Sequence, residues 1–383
     1  MLKIIPLLYI LCFPFNAIAV KQFKVGIASN FSELNTFTFN PFGGYFKDSV
    51  KLALDDNKEL MAKAGISISL HELDYGADDL KVSQQVEKAN LTNLSAVIGY
   101  SYSSSALIAA PLHVKNQIPM LSPSASASRL STFGKYIHLG SFDNQYMARV
   151  LARLTVKELK KKKILIVQAA NCAYCMDLSR TFEINAQKLG GTIVKKFSIL
   201  QGDKEFHKIT NDIKKLDFDV VFVPNQELTS ARIISAFLAA DIDVPFIGAD
   251  GWGNEGKEFF RVLKGRKFTG YSTSHWHPTL QTSTSQKFVQ SYKERFTQVP
   301  NDTSALTYDS MTLLIKALAQ SKSVAREDIE ESLSSIGSFE GVTGRFLVNP
   351  NKSPYKDLLI LKTSDTGFKV DRVIPVSRAI ADD

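Results

Sequence analysis

Serines that follow short apolar segments are the first residues of this sequence with the chemistry to bind a small molecule. Ser103 and Ser104 stand between a strand-like segment and a helix-like segment, so their hydroxyl and N–H groups would lie at a sheet edge. A helix N-terminus with free N–H donors is a ready site for a carboxylate. Simple N-capping without a ligand is the alternative, and these residues alone leave both open.

Two further segments would bring polar groups to the same kind of edge. Ser124, Ala125 and Ser126 follow the next strand-like segment, and Asp250 follows another much later in the chain. A carboxylate in a partly dry cleft forms a strong charge-assisted hydrogen bond with a ligand ammonium. A tight Ser-Pro turn and an ordinary aspartate at a strand end are the alternatives for these two segments.

The sequence lacks the motifs of the common enzyme classes. It contains no GxSxG elbow, HExxH helix or P-loop, and the segment from Gly26 to Asn30 lacks the glycines of a dinucleotide-binding turn. His275 and His277 would share one face of a strand and could bind a metal, but no third ligand is evident, so we expect a surface pair at a hinge. We therefore expect neither an enzyme nor a cofactor.

The start of the chain has the three-part pattern of a secretory signal peptide. Met1-Leu2-Lys3 precedes the almost wholly apolar segment Ile4 to Phe15, and Ala17-Ile18-Ala19 offers small residues for a cut after Ala19. A retained anchor or a lipoprotein is the alternative, but the apolar segment is short for a membrane span. We expect residues 1–19 to be removed and the protein to be exported to the periplasm.

Export leaves Cys172 and Cys175 as a CxxC pair. In an oxidising compartment such a pair most simply forms a short-loop disulfide. Free thiols, a thioredoxin-like redox pair and a zinc site are the alternatives, although the neighbouring sequence offers no further zinc ligands.

Length and composition indicate a globular protein with more than one core. The 383 residues exceed one ordinary core. The contents of 44% hydrophobic and 22% charged residues argue against collagen, coiled coil and extended disorder. The net charge of +8 comes from scattered basic residues, so it does not predict a nucleic-acid partner.

Short apolar strands alternate with amphipathic helices, a pattern typical of parallel sheets. The strand-like segments before residue 143 are Phe23–Ala28, Ile66–Leu73, Ala96–Gly99 and Ile118–Leu121. After a polar stretch the pattern restarts, with strand-like segments at Lys163–Val167, Thr192–Phe197, Asp219–Val223 and Val244–Gly248. Beyond Trp276 the chain is mostly helical, so we expect those helices to return and cover the first sheet.

Several of these segments together resemble one protein family. The stretches that carry the likeness are Val97-Ile98-Gly99, Ser103-Ser104-Ser105-Ala106, Ile118-Pro119-Met120-Leu121-Ser122-Pro123-Ser124-Ala125-Ser126, Leu189-Gly190-Gly191, Asp219-Val220-Val221-Phe222-Val223-Pro224, Pro245-Phe246-Ile247-Gly248-Ala249-Asp250-Gly251-Trp252, Tyr308-Asp309 and Gly341-Val342-Thr343-Gly344. In this order they resemble the type I periplasmic binding proteins of the leucine/isoleucine/valine-binding kind, over about residues 23–350.

The resemblance implies an α/β fold of two Rossmann-like lobes, each with a parallel central sheet, joined by a three-strand hinge. Lobe one would contain residues 20–142 and 276–347, and lobe two residues 143–275 and 348–383. Such proteins close like a hinge around a ligand in the cleft between the lobes and deliver it to a membrane ABC permease. We accordingly expect a monomer that binds an amino acid or a related amide or carboxylate.

The resemblance also implies roles for individual residues. Ser103 falls on the family's carboxylate-binding serine, and Asp250 on the acidic residue that receives the α-amino group. The turn Ser124–Ser126, with Ser104 nearby, falls on contacts to the amino-acid head group. Tyr102 and Trp252 are further candidates for the edge of the cleft.

Two departures from the family pattern concern lobe two. Asn225 and Gln226 stand where the family often has an aromatic side chain, which favours a more polar or differently shaped ligand than leucine. The segment Cys172–Cys175 replaces the family's usual Asp-x-x-Tyr-Gly run, although Tyr174 keeps the aromatic side chain.

A third departure is the long loop from Ser29 to Gly44. It carries Phe31, Phe37, Phe39 and Phe42. Phe42 is the best candidate to cover the cleft, and a hydrophobic loop packed on lobe one is the alternative.

Two other uses of the same fold remain open. An exported sensor or regulatory subunit would bind a small amide or amino acid in the same cleft and dock on a membrane receptor. A relative with an occluded cleft would serve as an interaction module and bind no small molecule. The sensor would differ from a transport protein only in its outer surface, which the sequence does not distinguish.

Overall fold

The computed structural model describes residues 20–32, 42–76, 78–253, 257–347, 353–365 and 367–377. The predicted signal peptide, Phe37, Phe39 and the side chain of Phe42 lie outside the described residues. The chain forms two α/β lobes with a small antiparallel sheet beside them, which confirms the predicted fold class.

The strands and helices alternate along most of the chain. The strands are β1 (Lys21–Ser29), β2 (Ile66–Asp74), β3 (Ala96–Gly99), β4 (Met120–Ser122), β5 (Ile137–Leu139), β6 (Lys163–Ala169), β7 (Thr192–Ile199), β8 (Val220–Phe222), β9 (Phe246–Ile247), β10 (Gly270–Ser274), β11 (Ser338–Gly341), β12 (Gly344–Leu347), β13 (Tyr355–Lys356), β14 (Leu358–Thr363) and β15 (Phe368–Ile374). The helices are α1 (Phe42–Asp56), α2 (Lys58–Lys63), α3 (Asp79–Leu91), α4 (Ser103–Lys115), α5 (Asn144–Arg153), α6 (Ala173–Lys188), α7 (His207–Ile213), α8 (Glu227–Ala239), α9 (Lys257–Leu263), α10 (Ser283–Phe296), α11 (Asp302–Gln320) and α12 (Arg326–Ser335). No helix of the described ranges is both long enough and apolar enough to cross a membrane.

The first lobe is built on a parallel sheet with the strand order β2-β1-β3-β4-β5. Side chains alternate between the two faces of a strand, and both faces of this sheet are covered. Phe23, Val25 and Ile27 pack against helices α1, α11 and α12. On the other face, Val97 and Met120 pack against α3 and α4. The late helix α11 thus returns to the first sheet, as predicted.

The second lobe has a sheet with the order β15-β14-β10-β9-β8-β6-β7. Strands β6 to β10 pair in parallel, whereas β14 and β15 add an antiparallel edge. The sequence pattern predicted the parallel strands β6 to β9 and missed β10 and this edge. Leu358 to Leu361 are all buried, so they lack the polar alternation that marks a half-exposed strand.

Three segments connect the lobes. The chain passes from β5 to α5 through residues 140–143, returns from β10 to α10 through residues 275–282, and crosses again where β13 leads into β14. Strand β13 pairs with β12, so Tyr355 and Lys356 belong to the small sheet β11-β12-β13. The residue limits that we predict for the two lobes stay a prediction.

A buried charge network lies where these crossing segments meet. Asp309 accepts hydrogen bonds from Val342 N (2.7 Å), Thr343 N (2.8 Å) and Thr343 Oγ1 (2.5 Å). The fully buried Lys356 donates its ammonium proton to Gly140 O at 3.2 Å. Burial raises the pKa of Asp309 and lowers the pKa of Lys356 to about 8, and each charge partly offsets the effect of burial on the other. The hinge region therefore contains an acid and a base that both lie away from water.

Candidate functional site

The segment that follows strand β4 in lobe one contacts the start of α5 and the N-terminal part of α6 in lobe two, and α6 contacts the segment that follows β9 through Tyr174 and Asp250. Asn144 N donates to Ser126 O at 2.7 Å. Asp177 Oδ2 on α6 accepts from Ser128 N (2.8 Å), Ser128 Oγ (2.9 Å) and Asn144 Nδ2 (2.9 Å). The carboxyl ends of parallel strands in an open α/β sheet are the usual place for a ligand, so the cleft between these segments is the candidate site.

The wall from lobe one depends on a sharp turn after β3. Gly99 has a φ of 151°, and a Cβ there would lie 2.1 Å from Ala28 O, so only glycine fits. Tyr100 follows with a φ of 56°, which is uncommon for a residue with a side chain. The turn places the start of α4 at Ser103, with the partly buried Tyr102 as the residue before it.

Serines bind the two loops of this wall together. Ser103 Oγ accepts from Ala127 N at 3.1 Å, and Ser124 Oγ donates to Ser101 O at 3.1 Å. Ser103 is buried, whereas Ser104 is exposed at the first turn of α4. The loops are therefore held in place before any ligand binds.

Ala125 and Ser126 are also buried at this wall. Their carbonyl oxygens accept from Ser141 Oγ (3.3 Å) and Asn144 N (2.7 Å), so they tie the wall to the first crossing segment and to the start of α5. Ser101 is a residue that sequence reasoning missed. Its buried hydroxyl has no hydrogen-bond partner within the described ranges, and the signal was its position two residues after the strand.

The wall from lobe two centres on the carboxylate of Asp250. Tyr174 donates its hydroxyl proton to Asp250 Oδ1 at 2.6 Å, and His275 Nε2 lies 3.1 Å from Asp250 Oδ2. Gly251 N donates to the Tyr174 hydroxyl at 3.1 Å. A Cβ on Gly251 would lie 3.0 Å from the Tyr174 ring, so glycine allows this approach. Each carboxylate oxygen thus has a partner that orients it.

His275 corrects the prediction of a surface pair. It is 2% exposed and stacks on Phe142, with ring centroids 3.8 Å apart. His277 is also buried, and its Nδ1 lies 2.7 Å from Thr279 Oγ1. Burial lowers the pKa of both histidines, and the Asp250 carboxylate partly offsets this effect at His275. Sequence reasoning missed His275 as a site residue because His275 and its partner Asp250 are 25 residues apart in the chain.

Cys172 and Cys175 form a disulfide, which confirms the prediction. Cys172 is the N-cap of α6, and its sulfur accepts from Cys175 N at 3.1 Å. Tyr174 lies between the two cysteines. Burial, followed by the nearby negative charge of Asp250, raises the pKa of the Tyr174 phenol well above its usual value, so the phenol acts as a hydrogen-bond donor.

Two predicted site residues belong to the core of lobe two. Trp252 is fully buried, donates from Nε1 to Val223 O at 2.9 Å and packs against Phe259. This burial corrects the prediction that Trp252 lies at the edge of the cleft. Asn225 is fully buried as well, which corrects its assignment as a ligand contact. Its amide bonds to Ala169 N (2.7 Å) and Val167 O (2.8 Å).

Gln226 and the start of the long loop are the remaining predicted parts of the site. Gln226 is the partly buried residue before α8 and makes no capping bond, so its role stays a prediction. Phe31 packs on lobe one with its ring 6.2 Å from that of Phe46. This contact agrees with the alternative that the start of the long loop packs on lobe one. The side chain of Phe42 lies outside the described residues.

Comparisons with known proteins agree with this architecture. A family model described as periplasmic binding protein matches residues 24–367. The Leu/Ile/Val-binding protein of Citrobacter freundii is 24% identical over 200 residues, which cover 51% of this chain and 54% of that relative. The Leu/Ile/Val-binding protein BraC3 of Rhizobium johnstonii is 26% identical over 226 residues, covering 58% and 60%. The chain thus spans a little over half the length of these curated relatives.

Solved structures share the fold at low sequence identity. The leucine-binding protein LivK of Thermotoga maritima has a TM-score of 0.83 and 20% identity, covering 93% of this chain and 99% of that one. LivJ from Streptococcus pneumoniae, in complex with isoleucine, has a TM-score of 0.80 and 23% identity, with the same coverage. A solute-binding protein of an ABC transporter from R. palustris, in complex with benzoate, has a TM-score of 0.79 and 19% identity, covering 92% and 96%.

Proposed function

We propose that this chain, which belongs to the periplasmic binding protein family, captures an amino acid between its lobes and delivers it to an ABC permease. The observation that supports this best is the placement of the Asp250 carboxylate. It is held by Tyr174 and His275 in lobe two, and in the proposed closed cleft it would face the serine hydroxyls and N–H groups of lobe one. Such a pair of walls suits a ligand that carries both an ammonium and a carboxylate.

Each end of an amino acid would meet the wall that suits its charge. Asp250 would accept a charge-assisted hydrogen bond from the ligand ammonium. The ligand carboxylate would lie against the first turn of α4, where the N–H groups of Ser103, Ser104 and Ser105 point away from the helix. The unpartnered hydroxyl of Ser101 would add a further donor.

The same carboxylate favours an amino acid over an aromatic acid. Structures with this fold hold isoleucine in one protein and benzoate in another. Benzoate has no ammonium, and its negative charge would meet the negative charge of Asp250. We infer that the ligand is a zwitterion, and we leave its side chain open because Gln226 and the long loop of lobe one would both influence that choice.

The remaining parts of the proposal concern location and partners. The signal-peptide pattern at residues 1–19 favours a periplasmic protein, and the family to which the chain belongs acts outside the cytoplasm. The three crossing segments would allow the lobes to move as hinged bodies. We propose a monomer whose partner is a membrane ABC permease.

A thermal-shift screen of the chain from Val20 tests this function. The protein is unfolded and refolded to remove bound ligand, then mixed with amino acids, their amides, and benzoate. A ligand at about 1,000 times its dissociation constant stabilises the native state by about 4 kcal/mol, which should raise the midpoint by several degrees. A shift with benzoate and with none of the amino acids would contradict the proposed ligand class.

We expect the affinity for an amino acid to fall at acidic pH because of His275. The pKa of His275 is lowered by burial, so the ring stays neutral above pH 6.5 and gains a proton only below that value. The new cation would compete with the ligand ammonium for Asp250, with Lys356 as the other nearby cation and Tyr174 as the neutral donor. Calorimetric titrations between pH 8 and pH 5 should show a constant affinity above pH 6.5 and a weaker one below.

The His275→Gln variant is the matched control for this dependence. Its amide keeps an N–H donor for Asp250 but takes up no proton, so its affinity should stay constant over the same pH range. An equal loss of affinity at low pH in both proteins would show that another group is responsible.

A further inference from the structure

The Cys172–Cys175 disulfide closes the turn that contains Tyr174. Cys172 is the N-cap of α6 and Cys175 lies in its first turn, and both are buried. The covalent link spans only two intervening residues, and Tyr174 is one of them. The bridge therefore restrains the backbone on both sides of the tyrosine.

The side chain of Tyr174 extends from this turn to Asp250 in the candidate site. Its hydroxyl donates to Asp250 Oδ1 at 2.6 Å and accepts from Gly251 N at 3.1 Å. Its carbonyl oxygen lies 3.4 Å from Asn144 Nδ2, beside the first crossing segment. A displacement of this backbone would move the phenol that orients the carboxylate.

The first turn of a helix is also where a helix most easily frays, because its N–H groups have no partner within the helix. In α6 the cysteines reduce this freedom through the S–S bond and through the contact from Cys175 N to Cys172 Sγ at 3.1 Å. A side chain held in place before binding loses less entropy when the ligand arrives.

We propose that the Cys172–Cys175 disulfide positions Tyr174 against Asp250 and thereby increases the affinity of the cleft for its ligand. The proposal rests on the function proposed above, since it assigns Asp250 to the ligand ammonium. The disulfide acts through Tyr174 and Asp250, so the cysteines are positioning residues and make no contact with the ligand.

The first test compares dissociation constants for L-leucine by calorimetry at pH 7.5. We expect the double variant Cys172→Ser/Cys175→Ser to bind about tenfold more weakly than the wild type. Tyr174→Phe should cost less in that double variant than in the wild type, because the phenol is already displaced. Wild-type affinity in the double-serine variant, or fully additive losses, would overturn the proposal.

A control separates positioning from general stability. Phe182→Leu lies two turns further along α6 and removes the stacking of Phe182 on Phe222, whose centroids are 3.8 Å apart. This variant should lower the stability of the same helix while its affinity for L-leucine stays within about twofold of the wild type.

A measurement without ligand keeps the proposal testable even if L-leucine does not bind. Hydrogen exchange of the peptide covering residues 249–253 reports on Gly251 N–H, which donates to the Tyr174 hydroxyl at 3.1 Å and to Asp250 Oδ1 at 3.0 Å, the oxygen that Tyr174 itself orients. We expect faster exchange there in the double-serine variant and in Tyr174→Phe, and unchanged exchange in Phe182→Leu. Unchanged exchange in the double-serine variant would overturn the positioning role, whereas a wild type that binds no amino acid would contradict only the proposed function.

Discussion

Asp250→Asn should weaken the binding of an amino acid by about a hundredfold or more. The amide has nearly the same shape as the carboxylate, so Tyr174 and His275 still pack against a polar side chain of the same size at this position. It lacks the negative charge that would pair with the ligand ammonium. Calorimetry at neutral pH, with the amino acid that gives the largest thermal shift, measures the loss directly.

Asp243→Asn is the matched control for this prediction. Asp243 is exposed and precedes β9, whereas Asp250 follows the same strand. The two substitutions change the net charge equally but act at opposite ends of the strand. We expect Asp243→Asn to keep wild-type affinity. Strong binding by Asp250→Asn would remove the carboxylate from the proposed site.

Asp309→Ala should lower the free energy of unfolding by about 3–5 kcal/mol at pH 7. The substitution removes the acceptor of three hydrogen bonds from Val342 and Thr343. It also removes the buried negative charge that favours the ammonium of Lys356. An uncompensated buried charge is among the most destabilising changes in a protein interior. Denaturant unfolding of the ligand-free chain measures the effect.

A double variant shows whether charge is the cause. Asp309→Ala/Lys356→Met leaves no unpaired buried ion, so we expect it to regain a large part of the lost stability. If the double variant is no more stable than Asp309→Ala, the lost hydrogen bonds alone account for the effect.

The pH dependence of stability provides an independent check on Lys356. Its pKa is about 8 in the folded chain and 10.5 when unperturbed, so between these values the unfolded chain binds more protons. The contribution of Lys356 to the free energy of unfolding therefore rises with pH in this window, by at most about 1.4 kcal/mol per pH unit. Lys356→Met should lack this rise, and an identical profile in both proteins would contradict the assignment.

Much of the fold could be predicted from the sequence because it depends on local patterns. The alternation of short apolar runs with amphipathic helices predicted the parallel strands of both lobes except β5 and β10. The mostly helical block beyond Trp276 predicted that the late helices return to the first sheet, as α11 does. The antiparallel edge of lobe two escaped this reasoning, since β14 is buried along most of its length and shows no alternation.

The site was predictable only in part. Ser103 begins α4 and Asp250 follows β9, so both stand at strand-to-helix positions that a local pattern can locate. Trp252 and Asn225 stand at similar positions and yet belong to the core, with their polar groups already bonded. The sequence does not show which side chains other segments cover, so exposure at a strand end could not be inferred from position alone.

Features that depend only on neighbouring residues were therefore determined by the sequence itself: the periodicity of most strands and helices and the turns that carry polar side chains. The partners of Asp250 depended on folding, because Tyr174 and His275 come from segments 76 and 25 residues away. The burial of Asp309 and Lys356 in the hinge region also depended on folding. A hydrogen bond or a buried charge depends on three-dimensional proximity and on loss of water, and neither can be read from spacing along the chain.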